Sequence, residues 1–252
     1  MKADKYYLII KDITRHGKNI FRVECESETV LPKIHAGQFA HIKVPNKELR
    51  RPVCVYRNTE KTITFIIANV GEGTDAFTSL PKGAVFDALL PLGNGFPILP
   101  DKTNIALLGG GTGCAPLIKI AEDNPSLNVT ALLGFPDKHV KDAYGDDFDK
   151  VCKRVCYCTD DGSCGYHGYP TDLLTELAPE VLYVCGAPAM MKTAREYCKK
   201  LGVIGFASME QRMGCGVGAC LVCSVRIMQD GKEKLMRACA DGPVFPIEEI
   251  VF

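Results

Sequence analysis

The chain has no surplus of charge of either sign: 30 lysines and arginines are matched by 30 aspartates and glutamates over 252 residues. Without a global basic field, nucleic acid is not an expected partner. Long apolar runs are missing too. The longest apolar stretches, around Asn104 to Ile120 and Val181 to Met191, are interrupted by Gly and Pro. They read as buried strand–loop–helix units rather than membrane spans. The opening Met1-Lys-Ala-Asp-Lys-Tyr-Tyr7 begins with charges and lacks an apolar core, which argues against a secretory leader. There is no internal repeat and no low-complexity linker, and the five histidines are scattered and form no ligand pair. Hydrophobic residues at 46% and charged residues at 24% are ordinary for a globular protein, and the length suits two domains with a small third.

Cysteine is plentiful. There are 13, an odd number, which fits free thiols in a reducing cytoplasm better than a disulfide framework. Three of them, Cys215, Cys220 and Cys223, are spaced C-x4-C-x2-C in the glycine-rich stretch Met213-Gly-Cys-Gly-Val-Gly-Ala-Cys-Leu-Val-Cys223, and Cys239 follows after 15 intervening residues. This order is the plant-type signature for four thiolates around a [2Fe–2S] cluster. Glycines allow the loop the unusual backbone angles and the close N–H approach to sulfur that wrapping a cluster requires. Zinc sites are usually built from two short-spaced pairs, whereas here three ligands crowd one loop and the fourth is remote. A second group, Cys152, Cys156, Cys158 and Cys164, has no metal-ligand spacing and reads as buried free thiols.

Three segments follow one another. Residues 1–98 read as all-β, with short runs at Tyr6–Asp12, Ile20–Glu26, Phe39–Val44, Val53–Arg57, Thr62–Val70 and Ala84–Leu90, which implies a barrel or sandwich. The breaker-rich Pro91-Leu-Gly-Asn-Gly-Phe-Pro97 marks the boundary. Residues 99–208 alternate strand and helix. Strands are expected at Asn104–Leu108, Val129–Leu133, Arg154–Thr159 and Val181–Cys185. Helices are expected from about Ala115, over Thr171–Leu177 and over Pro188–Leu201. The pattern implies a parallel, doubly wound sheet. Residues 209–252 hold the cysteine loop and a hairpin at Ser224–Lys234 turning near Asp230-Gly231.

Strand, then Gly109-Gly-Gly-Thr-Gly113, then helix, is a phosphate cradle by its physics: Gly110, Gly111, Thr112 and Gly113 let a pyrophosphate approach the backbone and a helix start. It lacks the G-x-G-x-x-G fingerprint, so a merely tight turn is the competing reading. A second strand end, Cys185-Gly-Ala-Pro188, also opens onto a helix, and strand carboxyl ends are where open α/β sheets bind ligands. Cys185 there either approaches a nicotinamide or is a small buried residue. Gly134-Phe-Pro-Asp-Lys138 offers Asp137 and no Arg, which favours NADH over NADPH, with Lys138 as a phosphate contact the competing reading. In the β half, Arg51-Pro-Val-Cys54 follows a strand, and Gly71-Glu-Gly-Thr74 precedes a helix expected at Asp75–Leu80 with Thr74 as its N-cap. The chemistry asks for a third cofactor. NADH yields two electrons together and a [2Fe–2S] centre takes one; a flavin handles both.

These motifs resemble the ferredoxin-reductase superfamily, and within it the electron-transfer subunits of class 1B dihydroorotate dehydrogenase. The resemblance rests on Arg51-Pro-Val-Cys-Val55, Gly71–Thr74, Pro91–Phe96, Gly109–Pro116, Asp160-Asp-Gly-Ser-Cys-Gly165, Cys185–Pro188, the cysteine loop and Asp241-Gly-Pro-Val-Phe245. It implies an α+β multidomain chain: an FAD-binding antiparallel β-barrel, an NAD-binding α/β parallel-sheet domain and a small C-terminal [2Fe–2S] module. It also implies roles. Arg51 would pair with the FAD pyrophosphate, Pro52 and Val53 would line the flavin, and Cys54 would lie beside the isoalloxazine ring. Ile66, Ile67 and Ala68 would contact the cofactor through backbone groups, and Gly73 and Thr74 would hold its phosphates. Cys215, Cys220, Cys223 and Cys239 would ligate the cluster. The family usually carries Ser where this chain has Cys54. The implied partner is a separate FMN-containing subunit that oxidises dihydroorotate to orotate, in a heterotetramer of two of each. A reductase subunit serving another acceptor (sulfide dehydrogenase, hydrogenase or ferredoxin:NADP oxidoreductase type) is the alternative, as is a non-enzymatic NAD-sensing or zinc-stabilised module.

Overall fold

The computed structural model describes residues 3–252; Met1 and Lys2, the start of the stretch read against a leader, lie outside it. Six strands close an antiparallel barrel: β1 (Asp4–His16), β2 (Ile20–Ser27), β3 (Phe39–Ile42), β4 (Arg51–Asn58), β5 (Thr62–Ala68) and β6 (Val85–Leu92), in the order β1-β2-β5-β4-β3-β6 with β6 returning to β1. Closure leaves no free sheet edge. Leu8, Ile10, Val23, Ile42, Phe65 and Leu90 point inward and are fully buried, the period-2 pattern expected of half-buried strands. A seven-residue helix, α1 (Glu72–Thr78), joins β5 to β6. It starts three residues earlier than expected, and Thr74 is not its N-cap. Gly71 takes that place, while the Thr74 hydroxyl accepts from the N–H of Val70 and Gly71 at 2.9 and 3.2 Å from inside the first turn.

The second layer is a seven-stranded sheet. β7 (Asn104–Gly110), α2 (Ile118–Glu122), β8 (Asn128–Phe135), α3 (Lys138–Lys141), β9 (Arg154–Thr159), β10 (Tyr166–His167), β11 (Val181–Cys185), α4 (Pro188–Leu201) and β12 (Ile204–Ser208) follow in sequence. The sheet order is β10-β9-β8-β7-β11-β12, all parallel. Both faces are covered, so the central strands are near-continuous apolar runs. The helix expected from about Ala115 opens with a 3₁₀ turn, Gly111–Leu117, where Pro116 supplies no N–H, and continues as α2 over Ile118–Glu122. The segment around Thr171–Leu177 is likewise 3₁₀, at Pro170–Glu176.

β13 (Ser224–Gln229) and β14 (Lys232–Arg237) form the expected hairpin, its turn made by Asp230 and Gly231, both at positive φ. The chain then returns to the large sheet, where β15 (Val244–Pro246) pairs antiparallel with β12. Asn94 ties this return to the barrel end: its side chain donates to the Val244 carbonyl at 2.9 Å and accepts from the Val244 N–H at 3.0 Å. Pro91–Pro97 and Asp241–Phe245 therefore dock on one another.

Barrel and sheet share one core. Ile20, Tyr56, Ile66 and Phe96 pack with Leu107, Ala115, Tyr144 and Tyr183, and Tyr56 meets Tyr144 edge-on at 5.5 Å. Beside them, Asp147 accepts from Tyr56 Oη at 2.9 Å, Arg57 Nη1 at 2.8 Å and Arg22 Nη1 at 3.1 Å, and Arg57 also pairs with Glu122. Burial raises the Asp147 carboxyl, but Arg57, Tyr56 and Arg22 more than offset it and hold it below its ordinary value. A carboxylate depressed in the folded state stabilises fully above the ordinary carboxylate value of 3.8, and the contribution is lost as pH falls through the folded value. Asp147→Asn should therefore lower stability at neutral pH by about 2 kcal/mol, since it removes the carboxylate that two arginines and Tyr56 share while leaving each arginine one other carboxylate partner, with the deficit shrinking in acid. Thermal unfolding followed from neutral to acid pH checks it; an unchanged midpoint at neutral pH would contradict it.

Candidate functional site

The three expected sites meet around the β3–β4 pair. On one side its first residues pair with β3: Arg51 with Ile42, Pro52 with His41 and Cys54 with Phe39. On the other side, pairing with β5 begins only at Val55↔Phe65. Arg51–Cys54 are thus unpaired with Ile66–Ala68, and that stretch of β5 keeps hydrogen-bonding capacity toward β4. A flat ring with donors and acceptors along its edge, as in a flavin, fits such an opening. Arg51 turns toward the start of α1. Its Nη1 donates to the Leu49 carbonyl at 2.7 Å, and its guanidinium lies so close to Gly73 that a β-carbon there would overlap it. Gly73 and Thr74 sit in the first turn, whose N–H groups have no intrahelical acceptor. A guanidinium and free N–H donors side by side suit a pyrophosphate.

Strand order fixes the second part. The sheet reverses direction of growth between β7 and β11, so this is the switch point where the carboxyl ends form a crevice. The loop Gly110–Gly113 and the end of β11 touch there: a β-carbon on Gly113 would sit 2.5 Å from the Cys185 carbonyl oxygen. Gly111 adopts φ +56, and its carbonyl accepts from Tyr144 Oη at 2.9 Å. β4 packs on this loop. Cys54 and Cys185 thereby come within electrostatic range of each other and of Glu210. Burial, then Glu210, pushes the Cys54 thiol up to about 12, and burial, then Cys54, pushes Cys185 well up. Both are neutral thiols at physiological pH, weak hydrogen-bond partners rather than nucleophiles.

The hairpin β13–β14 explains the long gap before the fourth cysteine. Its antiparallel register, Ser224 opposite Arg237, carries Cys239 back beside Cys223, with the Ala238 N–H on the Cys223 carbonyl at 2.9 Å. The Cys215 N–H donates to the Cys220 sulfur at 3.4 Å, which brings these two cysteines together as the hairpin brings Cys239 to Cys223. Among the described residues no three His, Cys, Asp or Glu side chains converge on a single ion position. Backbone N–H groups already point at sulfur: Val217 and Ala219 at Cys215 (3.4 and 3.2 Å), and Gly218 at Cys239 (3.1 Å). Desolvation raises the Cys215 thiol, but those N–H groups and Cys220 bring it down to about 6.

Two residues here escaped the sequence reading. Arg237 binds Asp241 at 2.7 Å and donates to the Gly218 carbonyl at 2.9 Å, bracing the turn that addresses Cys239. His41, in β3, is fully buried against Gly216. The only available signal was its place within an otherwise apolar strand. Cys152, Cys156, Cys158 and Cys164 are free and buried or half-buried.

A closed antiparallel barrel, a parallel sheet with glycine loops at its switch point and a terminal four-cysteine loop define a ferredoxin-reductase-type electron-transfer protein. Residues 210–251 match the model of the iron–sulfur cluster binding domain of dihydroorotate dehydrogenase B. The chain is 37% identical over 244 residues to the dihydroorotate dehydrogenase B (NAD(+)) electron transfer subunit of Clostridium perfringens, covering 96% of each chain. It is 34% identical to that of Shouchella clausii over the whole of both chains. The chain belongs to this family of electron transfer subunits. Among solved structures, the NADH-dependent reduced ferredoxin-NADP oxidoreductase, studied for flavin-based electron bifurcation, superposes with a TM-score of 0.84 at 27% identity, over 97% of this chain and 89% of that one. Phthalate dioxygenase reductase shares the fold, with a TM-score of 0.66 at 19% identity over 93% and 77%.

Proposed function

We propose that this protein is the NAD-linked electron-transfer subunit of a class 1B dihydroorotate dehydrogenase. It serves a separate FMN-containing catalytic subunit, in a heterotetramer of two of each, with net electron flow from dihydroorotate to NAD+. The observation that carries this reading is the convergence at the β3–β4 pair: β4 parts from β5 and packs on the glycine loop of the nicotinamide-type crevice, and the cysteine loop meets His41 of β3. FAD, when bound, supplies the exchange between electron pairs and single electrons that links a nicotinamide to a [2Fe–2S] centre.

The chain's own residues bind, orient and insulate. Arg51, Gly73 and Thr74 hold the FAD pyrophosphate. Pro52, Val53 and Cys54 face the ring, and the Ile66–Ala68 backbone meets its edge. Gly110–Gly113 take the NAD pyrophosphate, with Cys185 close to the nicotinamide. Cys215, Cys220, Cys223 and Cys239 would hold the [2Fe–2S] cluster, which supplies one-electron transfer. Val217, Leu221 and Val222 around the cysteine loop are 57–63% exposed, an apolar rim suited to the catalytic subunit. No helix among the described residues is long and apolar enough to cross a membrane, and the 13 free thiols support a cytoplasmic location.

The test is direct. Anaerobically purified protein should show flavin bands over broad cluster absorption, contain iron and sulfide, and co-purify with an FMN-containing subunit that reduces NAD+ with dihydroorotate. A colourless, zinc-containing preparation would overturn the reading. NADH should be preferred to NADPH. Asp137 caps α3, and the Asp160 and Asp161 N–H groups reach the Phe135 and Pro136 carbonyls at 3.0 and 3.3 Å, so these three aspartates stand on neighbouring strand ends where a ribose 2′ position is met. A 2′-phosphate there faces like charge, so kcat/KM for NADH should exceed that for NADPH by at least about tenfold. Equal values would contradict the assignment.

A further inference from the structure

One buried imidazole has no partner. His41 is 0% exposed, and neither ring nitrogen makes a hydrogen bond. A buried polar group left unpaired costs about 1–3 kcal/mol, so it calls for a physical reason. Its neighbours supply one. Register sets His41 opposite Pro52 in β4 and Leu89 in β6. Its Nδ1 faces Gly216 so closely that a β-carbon on that glycine would overlap it. The Arg50 and Cys215 backbones lie alongside the ring, and neither makes a hydrogen bond to it. An imidazole has at least one N–H to give.

We propose that His41 is a positioning residue for the cluster loop: its buried, unpartnered ring stands against Gly216, and with the cluster bound its N–H would be taken up by the loop backbone at Cys215, tying that loop to the β3–β4 pair beside the flavin site. The proposal rests on the electron-transfer reading above. Its physical content is local. The Cys215 sulfur accepts from Val217 and Ala219, and hydrogen bonds toward cluster sulfurs set the reduction potential. A strut on the Cys215 backbone holds that set of donors in place. Gly216, at φ +71, is the one residue of the loop that must leave room for the ring.

Full-length wild type, His41→Leu and His41→Gln, isolated anaerobically, are compared for FAD and iron content, electron paramagnetic resonance of the reduced cluster and potentiometric titration. His41→Leu should keep FAD and move the cluster potential down by a tenfold change in the one-electron equilibrium, about 59 mV, with altered resonance positions. His41→Gln, which retains an N–H donor, should recover most of the shift. Iron loss from His41→Leu alone, with FAD retained, supports the same conclusion. An unmoved potential and spectrum in His41→Leu overturns it. So does a His41→Gln variant indistinguishable from His41→Leu, or loss of FAD from both, which would make His41 a plain barrel-core residue. Wild type without iron would sink the electron-transfer reading and this proposal together; a loaded wild type with a silent His41→Leu sinks the proposal alone.

Discussion

Cys239→Ala should strip the iron and sulfide from the protein and lower dihydroorotate-dependent NAD+ reduction by more than about 100-fold, exceeding the usual effect of losing an outer-shell partner of a metal site. FAD should remain bound, and NADH oxidation with an artificial dye acceptor should persist. The separation follows from the architecture. Cys239 is held by the β13–β14 hairpin and lies beside Cys223, whereas the opening for the flavin is formed by β4 and β5 of the barrel. Cys158→Ala is the control: that thiol is fully buried in β9, away from the loop, and its loss should leave iron content unchanged. Metal analysis and a reduced-minus-oxidised spectrum read both variants. Full iron in Cys239→Ala would show that another group closes the site.

Arg51→Ala should weaken FAD binding about 30-fold, corresponding to the loss of charge-assisted hydrogen bonds worth about 2 kcal/mol. Arg51→Lys should restore only part of this, because an ammonium cannot reproduce the planar two-pronged contact with phosphate. Gly73→Ala offers an independent approach to the same contact. The added methyl would occupy the space now filled by the Arg51 guanidinium, so the arginine must move and FAD affinity should fall although no charge is removed. Flavin fluorescence titration of the apoprotein measures all three. Unchanged affinity in both Arg51→Ala and Gly73→Ala would place the pyrophosphate elsewhere.

The parts of the fold that were legible in the sequence share a property. β9, β11 and α4 occupy the expected residues, Arg154–Thr159, Val181–Cys185 and Pro188–Leu201. β11 is a buried apolar run. α4 has proline in its first turn and Gly202 in the left-handed conformation at its end, local signals that need no partner. The strands that went unread, β10, β12 and β15, are two, five and three residues long. They are strands only because a neighbour pairs with them. After the glycine loop the apolar content suggests a helix from about Ala115; a 3₁₀ turn containing Pro116 opens it, and the α-helical part begins only at Ile118. Thr74 was taken for a cap because its residue type suits one; it sits inside the turn it was expected to open.

The amino-acid sequence determined which chemistry this protein carries, since cysteine spacing, glycine loops and the Arg-Pro-Val-Cys run are short-range patterns whose meaning lies in adjacent residues. Only the tertiary structure decided how those patterns face one another: that β4 parts from β5 opposite Arg51–Cys54, that a hairpin returns Cys239 to Cys223, that Asp147 gathers Tyr56 and two arginines, and that His41 meets Gly216. Each of these joins residues far apart along the chain, where pairing register and packing rather than local preference set the contact.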